Sequence, residues 1–192
     1  MTSEFLTDFQ RRKLLHKFNL LDIDQNGVIE YKDFHHVIEQ LAEARGYGED
    51  DPRYQRLLGS NQGLWIALQN FCDVDEDGEI TTDEWLNYHA AALYRAHEFD
   101  HLVPGFETTL GAFTAFLREL LDSDGDGVVT RDDYLELSRA HNIDDTEAQA
   151  TFNAIDRNGD GRLTLDEVST LVRDFYLCDD PSAPGNSFFG KF

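Results

Sequence analysis

The stretch that decides the fold runs from Asp122 to Glu167. It opens with Asp122-Ser-Asp-Gly-Asp-Gly-Val-Val-Thr-Arg-Asp-Asp133 and closes with Asp156-Arg-Asn-Gly-Asp-Gly-Arg-Leu-Thr-Leu-Asp-Glu167. Both twelve-residue segments carry Asp at position 1, Asp or Asn at 3 and 5, Gly at 6, an aliphatic residue at 8 and an acid at 12. Short oxygen-bearing side chains on alternate residues can converge on one point if the chain turns sharply, and glycine at position 6 permits that turn. A hard divalent cation such as calcium takes six to eight oxygens at ~2.3–2.6 Å, which is what such a loop offers.

Working outward, the pattern recurs at Asp22–Asp33 (DIDQNGVIEYKD) and Asp73–Glu84 (DVDEDGEITTDE). Four loops in register, each flanked by helical periodicity, identify EF-hand helix–loop–helix units. The expected ligands are Asp22, Asp24, Asn26, Val28, Glu30 and Asp33 in loop 1, and Asp73, Asp75, Asp77, Glu79 and Glu84 in loop 2. Loop 3 supplies Asp122, Asp124, Asp126, Val128 and Asp133, and loop 4 supplies Asp156, Asn158, Asp160, Arg162 and Glu167. Val28, Glu79, Val128 and Arg162 stand at position 7, where the backbone carbonyl is the ligand and the side chain is free to vary. Position 9 (Glu30, Thr81, Thr130, Thr164) acts as a rule through a water.

The residues at position 12 divide the loops. Glu84 and Glu167 are long enough to give two oxygens, whereas Asp33 and Asp133 are one methylene shorter and would naturally give one. The lower coordination number discriminates less against magnesium, so loops 1 and 3 are expected to be mixed Ca2+/Mg2+ sites or weaker Ca2+ sites.

The aliphatic residues at position 8 are expected to pair across short antiparallel contacts, Ile29 with Ile80 and Val129 with Leu163. The residue after position 12 is always apolar or aromatic (Phe34, Trp85, Tyr134, Val168) and should start an exiting helix facing the core. Helical spacing is read near 5–21, 34–45, 62–72, 82–98, 107–121, 131–140, 145–155 and 165–176, with Asp144 as a helix N-cap. The fold class is therefore all-α: two EF-hand pairs packed into one compact unit. Loop starts are 51, 49 and 34 residues apart, and connections that long do not suit two lobes on an exposed helix. Residues 46–60 read as an inserted turn or short helix, and Pro104-Gly105 as a break. The expected division is 1–103 for the first pair, 104–178 for the second, and 179–192 for a tail whose Phe188, Phe189 and Phe192 pack back on the core.

A formal net charge of −22, from 38 acidic against 16 basic residues, argues against nucleic acid and anionic lipid as partners. No apolar run reaches the ~20 residues of a membrane span, and the N-terminus does not read as a secretory signal. With only two cysteines, of which Cys72 reads as a buried thiol, a disulfide framework is not expected; the location is taken as cytoplasmic and the protein as a monomer.

The chain resembles the sarcoplasmic calcium-binding proteins, with their calexcitin and calerythrin relatives. The resemblance rests on the four loops, the wide first spacings, Asp33 in loop 1, and the tail Gly185-Asn-Ser-Phe-Phe-Gly190. It implies a compact, two-paired, soluble protein acting as an intracellular calcium and magnesium buffer. Members usually lose at least one site, whereas here all four loops keep their ligand residues.

A calcium sensor is the runner-up. Its apolar groove is commonly lined by flexible methionines, and the only methionine here is Met1. A photoprotein or luciferin carrier is a third reading, with Trp65, Trp85, Tyr88, His89, His97 and His101 as cavity residues; core packing is the simpler role for those side chains. His35 and His36 read as surface or rim residues. No nucleophile–base pairing or phosphate-binding loop stands out, so no enzyme is expected; a protein target is not evident in the sequence.

Overall fold

The computed structural model describes residues 5–99, 104–122, 124–141 and 143–190. Thr7 begins the first helix: its hydroxyl accepts from the Gln10 amide (3.1 Å) while the Gln10 side chain accepts from the Thr7 amide (3.0 Å). Helix α1 (Asp8–Leu21) therefore starts three residues later than the periodicity alone predicts, and it buries Leu14, Phe18 and Leu21 at three- and four-residue spacing. Strand β1 (Val28–Ile29) and α2 (Tyr31–Arg45) follow, and α2 stops at Gly46, whose φ of 68° suits a residue without Cβ.

The segment read as an inserted turn or short helix is, from Pro52 on, the start of one long helix, α3 (Pro52–Phe71). Pro52 occupies the first turn, where a missing N–H costs nothing, and the Asp51 carboxylate accepts from the Arg53 amide (2.8 Å). Next come β2 (Ile80–Thr81), α4 (Thr82–Phe99), α5 (Pro104–Leu121), β3 (Val128–Thr130), α6 (Arg131–Ala140), α7 (Asp145–Ile155), β4 (Arg162–Thr164) and α8 (Leu165–Leu177), with a 3₁₀ turn at Pro184–Ser187. Pro104 opens α5. Gly105 lies so close to α3 that a Cβ there would sit 2.7 Å from the Phe71 ring. Asp144 caps α7, its carboxylate accepting from the Thr146 and Glu147 amides.

Strands β1 and β2 pair antiparallel with Ile29 opposite Ile80, and β3 and β4 pair with Val129 opposite Leu163, as the position 8 residues predict. The four residues after position 12, Phe34, Trp85, Tyr134 and Val168, are all buried. One continuous core runs through both halves, from Leu14 and Trp85 to Phe152 and Phe175. Helix α3 lies along α5, α2 packs on α6, and Phe34 meets Phe116 edge-on at 6.1 Å. Arg45, at the end of α2, donates to the Glu136 carboxylate (2.8 Å) and to the Leu120 carbonyl (2.8 Å), joining the halves.

Phe188 and Phe189 are buried; Phe192 lies outside the described residues. The Phe189 ring stacks edge-on against Phe175 (4.7 Å), Tyr134 donates to the Phe188 carbonyl (2.8 Å), and His16 is 2.7 Å from the Phe189 carbonyl. Two of the chain's four lysines are buried beneath this segment. Lys13 donates to the Cys178 carbonyl, and the Lys17 ammonium lies 4.0 Å over the Phe189 ring and 4.9 Å over Phe113.

Candidate metal centres

Each loop is organised by its position 1 aspartate, which gathers backbone amides from the far side of the turn. Asp22 accepts from Asn26 (3.0 Å) and Gly27 (2.9 Å), Asp122 from Gly125 (2.8 Å) and Gly127 (3.0 Å), and Asp156 from Gly159 (2.9 Å) and Gly161 (2.8 Å). In loop 2 one Asp73 oxygen accepts from Gly78 (3.1 Å); the other is buried without a hydrogen-bond partner. The position 6 glycines hold φ near 80–92°. The side chain at position 5 then accepts from the position 7 amide in every loop: Asn26 from Val28, Asp77 from Glu79, Asp126 from Val128, and Asp160 from Arg162. The ring of oxygens is thus held by the loop's own N–H groups.

Sequence reading missed position 4. It too is left-handed, with φ of 57° at Gln25, 60° at Glu76, 76° at Gly125 and 69° at Gly159. The glycines of loops 3 and 4 are the signal that could have revealed it, and Gln25 and Glu76 accept a modest backbone cost there.

At position 12 the loops part company. Asp33 accepts from the Ile23 amide at position 2 (3.2 Å) and from the Glu30 amide (2.8 Å). Glu84 likewise spans its loop, accepting from Val74 (2.8 Å) and from the Thr81 amide and hydroxyl (2.9 and 2.7 Å). Asp133 accepts from the Thr130 amide and hydroxyl (2.9 and 2.5 Å), and Glu167 from the same groups of Thr164 (both 2.8 Å).

Three groups of acids converge with ligand atoms within 4.8 Å of one another: Asp22/Asp24/Asp33, Asp73/Asp75/Glu84 and Asp122/Asp124/Asp126. Among the described residues loop 4 forms no such trio of acids, because position 3 is Asn158 and Glu167 remains on its cap.

Burial raises the Asp33 carboxyl above its usual range, and burial with the neighbouring Asp77, Glu84 and Asp73 charges does the same to Asp75. Burial also pushes Glu84 upward, but the hydrogen bonds from Thr81 and Val74 outweigh it and hold the group low. In loop 1 the Lys32 ammonium lowers both Asp24 and Glu30. The unpartnered Asp73 oxygen and the converging carboxylates fit a hard cation: a divalent ion would satisfy the one and relieve the repulsion among the others.

His35 and His36 lie at the rim, beside Glu39 (3.4 Å) and Gln40 (2.8 Å). Trp85 is core, its N–H donating to the Leu14 carbonyl (2.9 Å), and Trp65 is buried. His89 is buried between Trp85 (4.2 Å) and Tyr176 (5.4 Å), and burial pushes its pKa down to about 4. The His97 side chain and all of His101 lie outside the described residues.

Four helix–loop–helix units joined in two strand pairs define the EF-hand architecture, and an EF-hand domain pair profile matches residues 119–173. Calerythrin of Saccharopolyspora erythraea is 29% identical over 177 residues, covering 92% of this chain and 95% of the relative. A sarcoplasmic calcium-binding protein from amphioxus superposes with a TM-score of 0.73 at 21% identity, over 97% of this chain and 99% of that one. A Streptomyces coelicolor calcium-binding protein, described for calcium-mediated regulation, gives 0.68 at 26% identity over 87% and 97%. The coelenterazine-binding protein of Renilla muelleri gives 0.72 at 18% identity over 97% and 100%, a likeness of fold. Over nearly its whole length the chain is similar to calerythrin and to the sarcoplasmic calcium-binding proteins. Calcium binding is the activity that these loops and these relatives support. No helix among the described residues is long and apolar enough to cross a membrane.

Proposed function

We propose that the chain is a calcium buffer, binding Ca2+ through the loop residues named above, with Mg2+ also entering the loops that end in Asp33 and Asp133. It acts inside the cell as a monomer, with one EF-hand pair in 1–103, a second in 104–178, and the tail from 179 as a cover. The observation that carries this reading is the filled interior. Between the halves, Trp85, His89, Phe106, Phe113 and Tyr176 leave a cavity of about 20 Å³, room for roughly one water. The face that a sensor would open to a partner is occupied by the chain's own Phe188 and Phe189. That cavity is also far too small for an aromatic chromophore, which counts against the carrier reading.

Calcium titration by calorimetry, with and without millimolar magnesium and with a dye reporting exposed apolar surface, tests the proposal. Tight sites, magnesium competition at some of them and no calcium-induced dye binding are expected. The sensor reading draws on the Streptomyces coelicolor relative and its link to regulation. Micromolar sites with a clear rise in dye binding would establish it instead.

A further inference from the structure

Loop 1 differs from the other three at two positions at once. Position 9 is Glu30 where the others have Thr81, Thr130 and Thr164, and position 11 is Lys32 where the others have Asp83, Asp132 and Asp166. Lys32 stands in the first turn of α2, and its ammonium is 3.0 Å from an Asp24 oxygen and 2.5 Å from a Glu30 oxygen. The Asn26 amide nitrogen donates to the same Glu30 oxygen at 2.9 Å. The side chains at positions 3, 5 and 9 are thus drawn together around a cation that belongs to the protein.

We propose that Lys32 is a built-in competitor for calcium in loop 1, holding the Asp24 and Glu30 carboxylates until a divalent ion displaces it. The inference rests on loop 1 being a calcium site. Its two consequences have opposite signs. Without metal, the ammonium relieves repulsion between Asp24 and Glu30 and keeps the loop formed. With metal, it repels the incoming ion and weakens the site. Loop 1 is therefore the site tuned down by its own sequence, although it carries four side-chain carboxylates at ligand positions.

Lys32→Gln is expected to raise calcium affinity at one site about tenfold, the change that corresponds to removing an ammonium about 6 Å from a doubly charged ion in water. The same substitution should lower the melting temperature of the calcium-free protein by about 2 °C. Lys32→Arg keeps the charge and should behave as the unmodified chain within about twofold. Arg56→Gln makes the same change in net charge on α3, away from the loops, and should leave every site within about twofold. Asp22→Asn serves as the marker for loop 1 and should abolish one site.

If Lys32→Gln matches Arg56→Gln while Asp22→Asn still abolishes a site, the competitor role is wrong and calcium binding at loop 1 stands. If Asp22→Asn abolishes no site, loop 1 does not bind calcium and both readings fall. In the unmodified chain, the Lys32 side-chain resonances should move between the calcium-free and loaded states; unmoved resonances would overturn the proposal independently of any variant.

Discussion

The two EF-hand pairs look alike in sequence, yet the first two loops and the last one close differently. By the residue at position 12, loops 2 and 4 belong together (Glu84, Glu167), as do loops 1 and 3 (Asp33, Asp133). The geometry cuts across that division. Asp33 and Glu84 both reach across to the position 2 amides of Ile23 and Val74. Glu167 lies instead on the cap of its helix, against Thr164. A short carboxylate can therefore close a loop that a long one leaves to its cap. What decides is where the packed exiting helix places the carboxylate relative to the entering strand of the loop. The halves differ also in how they share the tail, which sits on α7 and α8 of the second pair while α1 of the first supplies the lysines beneath it.

The largest expected effect tests that second difference. Burial pushes the Lys17 pKa down to about 7, against 10.5 for the free side chain. Between these values the unfolded chain holds more protons than the folded one, so stability rises as pH increases from about 7 to 10, and the full penalty applies below pH 7. The span is on the order of 4 kcal/mol. Lys17→Met should flatten this part of the profile and raise stability at neutral pH, read by denaturant titration at several pH values. A profile equally steep in the variant would remove Lys17 as its cause.

Gly185→Ala comes next. A Cβ there would sit 2.4 Å from the Leu171 carbonyl and from the Asp174 Cβ, so the tail must lift from α8. A loss of about 3 kcal/mol, seen as a melting temperature about 6–12 °C lower, is expected, together with new dye binding. An unchanged melting temperature would mean that the tail contributes little to holding the halves together.

Removing charge at position 12 in the calcium-free protein should affect loops 2 and 4 unequally. Glu84→Gln disturbs bonds on both sides of loop 2 and should cost about 2 kcal/mol, whereas Glu167→Gln disturbs one cap and should cost about 1 kcal/mol. Hydrogen exchange offers a direct view, because the Val74 amide should already be protected without calcium. Equal costs, and an unprotected Val74, would erase the distinction between loops 2 and 4.

The smallest effect concerns the seam. Asn61, on α3 beside α5, is fully buried with neither amide atom hydrogen-bonded. Asn61→Leu should stabilise the chain by about 1 kcal/mol, measured by denaturant unfolding. A loss instead would indicate that the amide fixes how the halves meet.

The sequence by itself determined the repeated loop, the strand pairs through Ile29, Ile80, Val129 and Leu163, and the buried residues that follow position 12. These follow from rules that act within twelve residues or one helical turn: alternating oxygens, a glycine turn, apolar periodicity. It left residues 46–60 as an inserted turn or short helix, whereas from Pro52 the chain forms one long helix that runs through Gly59 and Gly63. Within α3 neither glycine meets steric demand, and packing against α5 carries the helix through them. Only the tertiary structure decided which position 12 carboxylates span their loops, that two lysines lie beneath Phe189 and the end of α8, and that Arg45 joins α2 to α6. Each of those contacts depends on the rigid placement of whole helices, and that placement comes from a core shared by residues far apart in the chain.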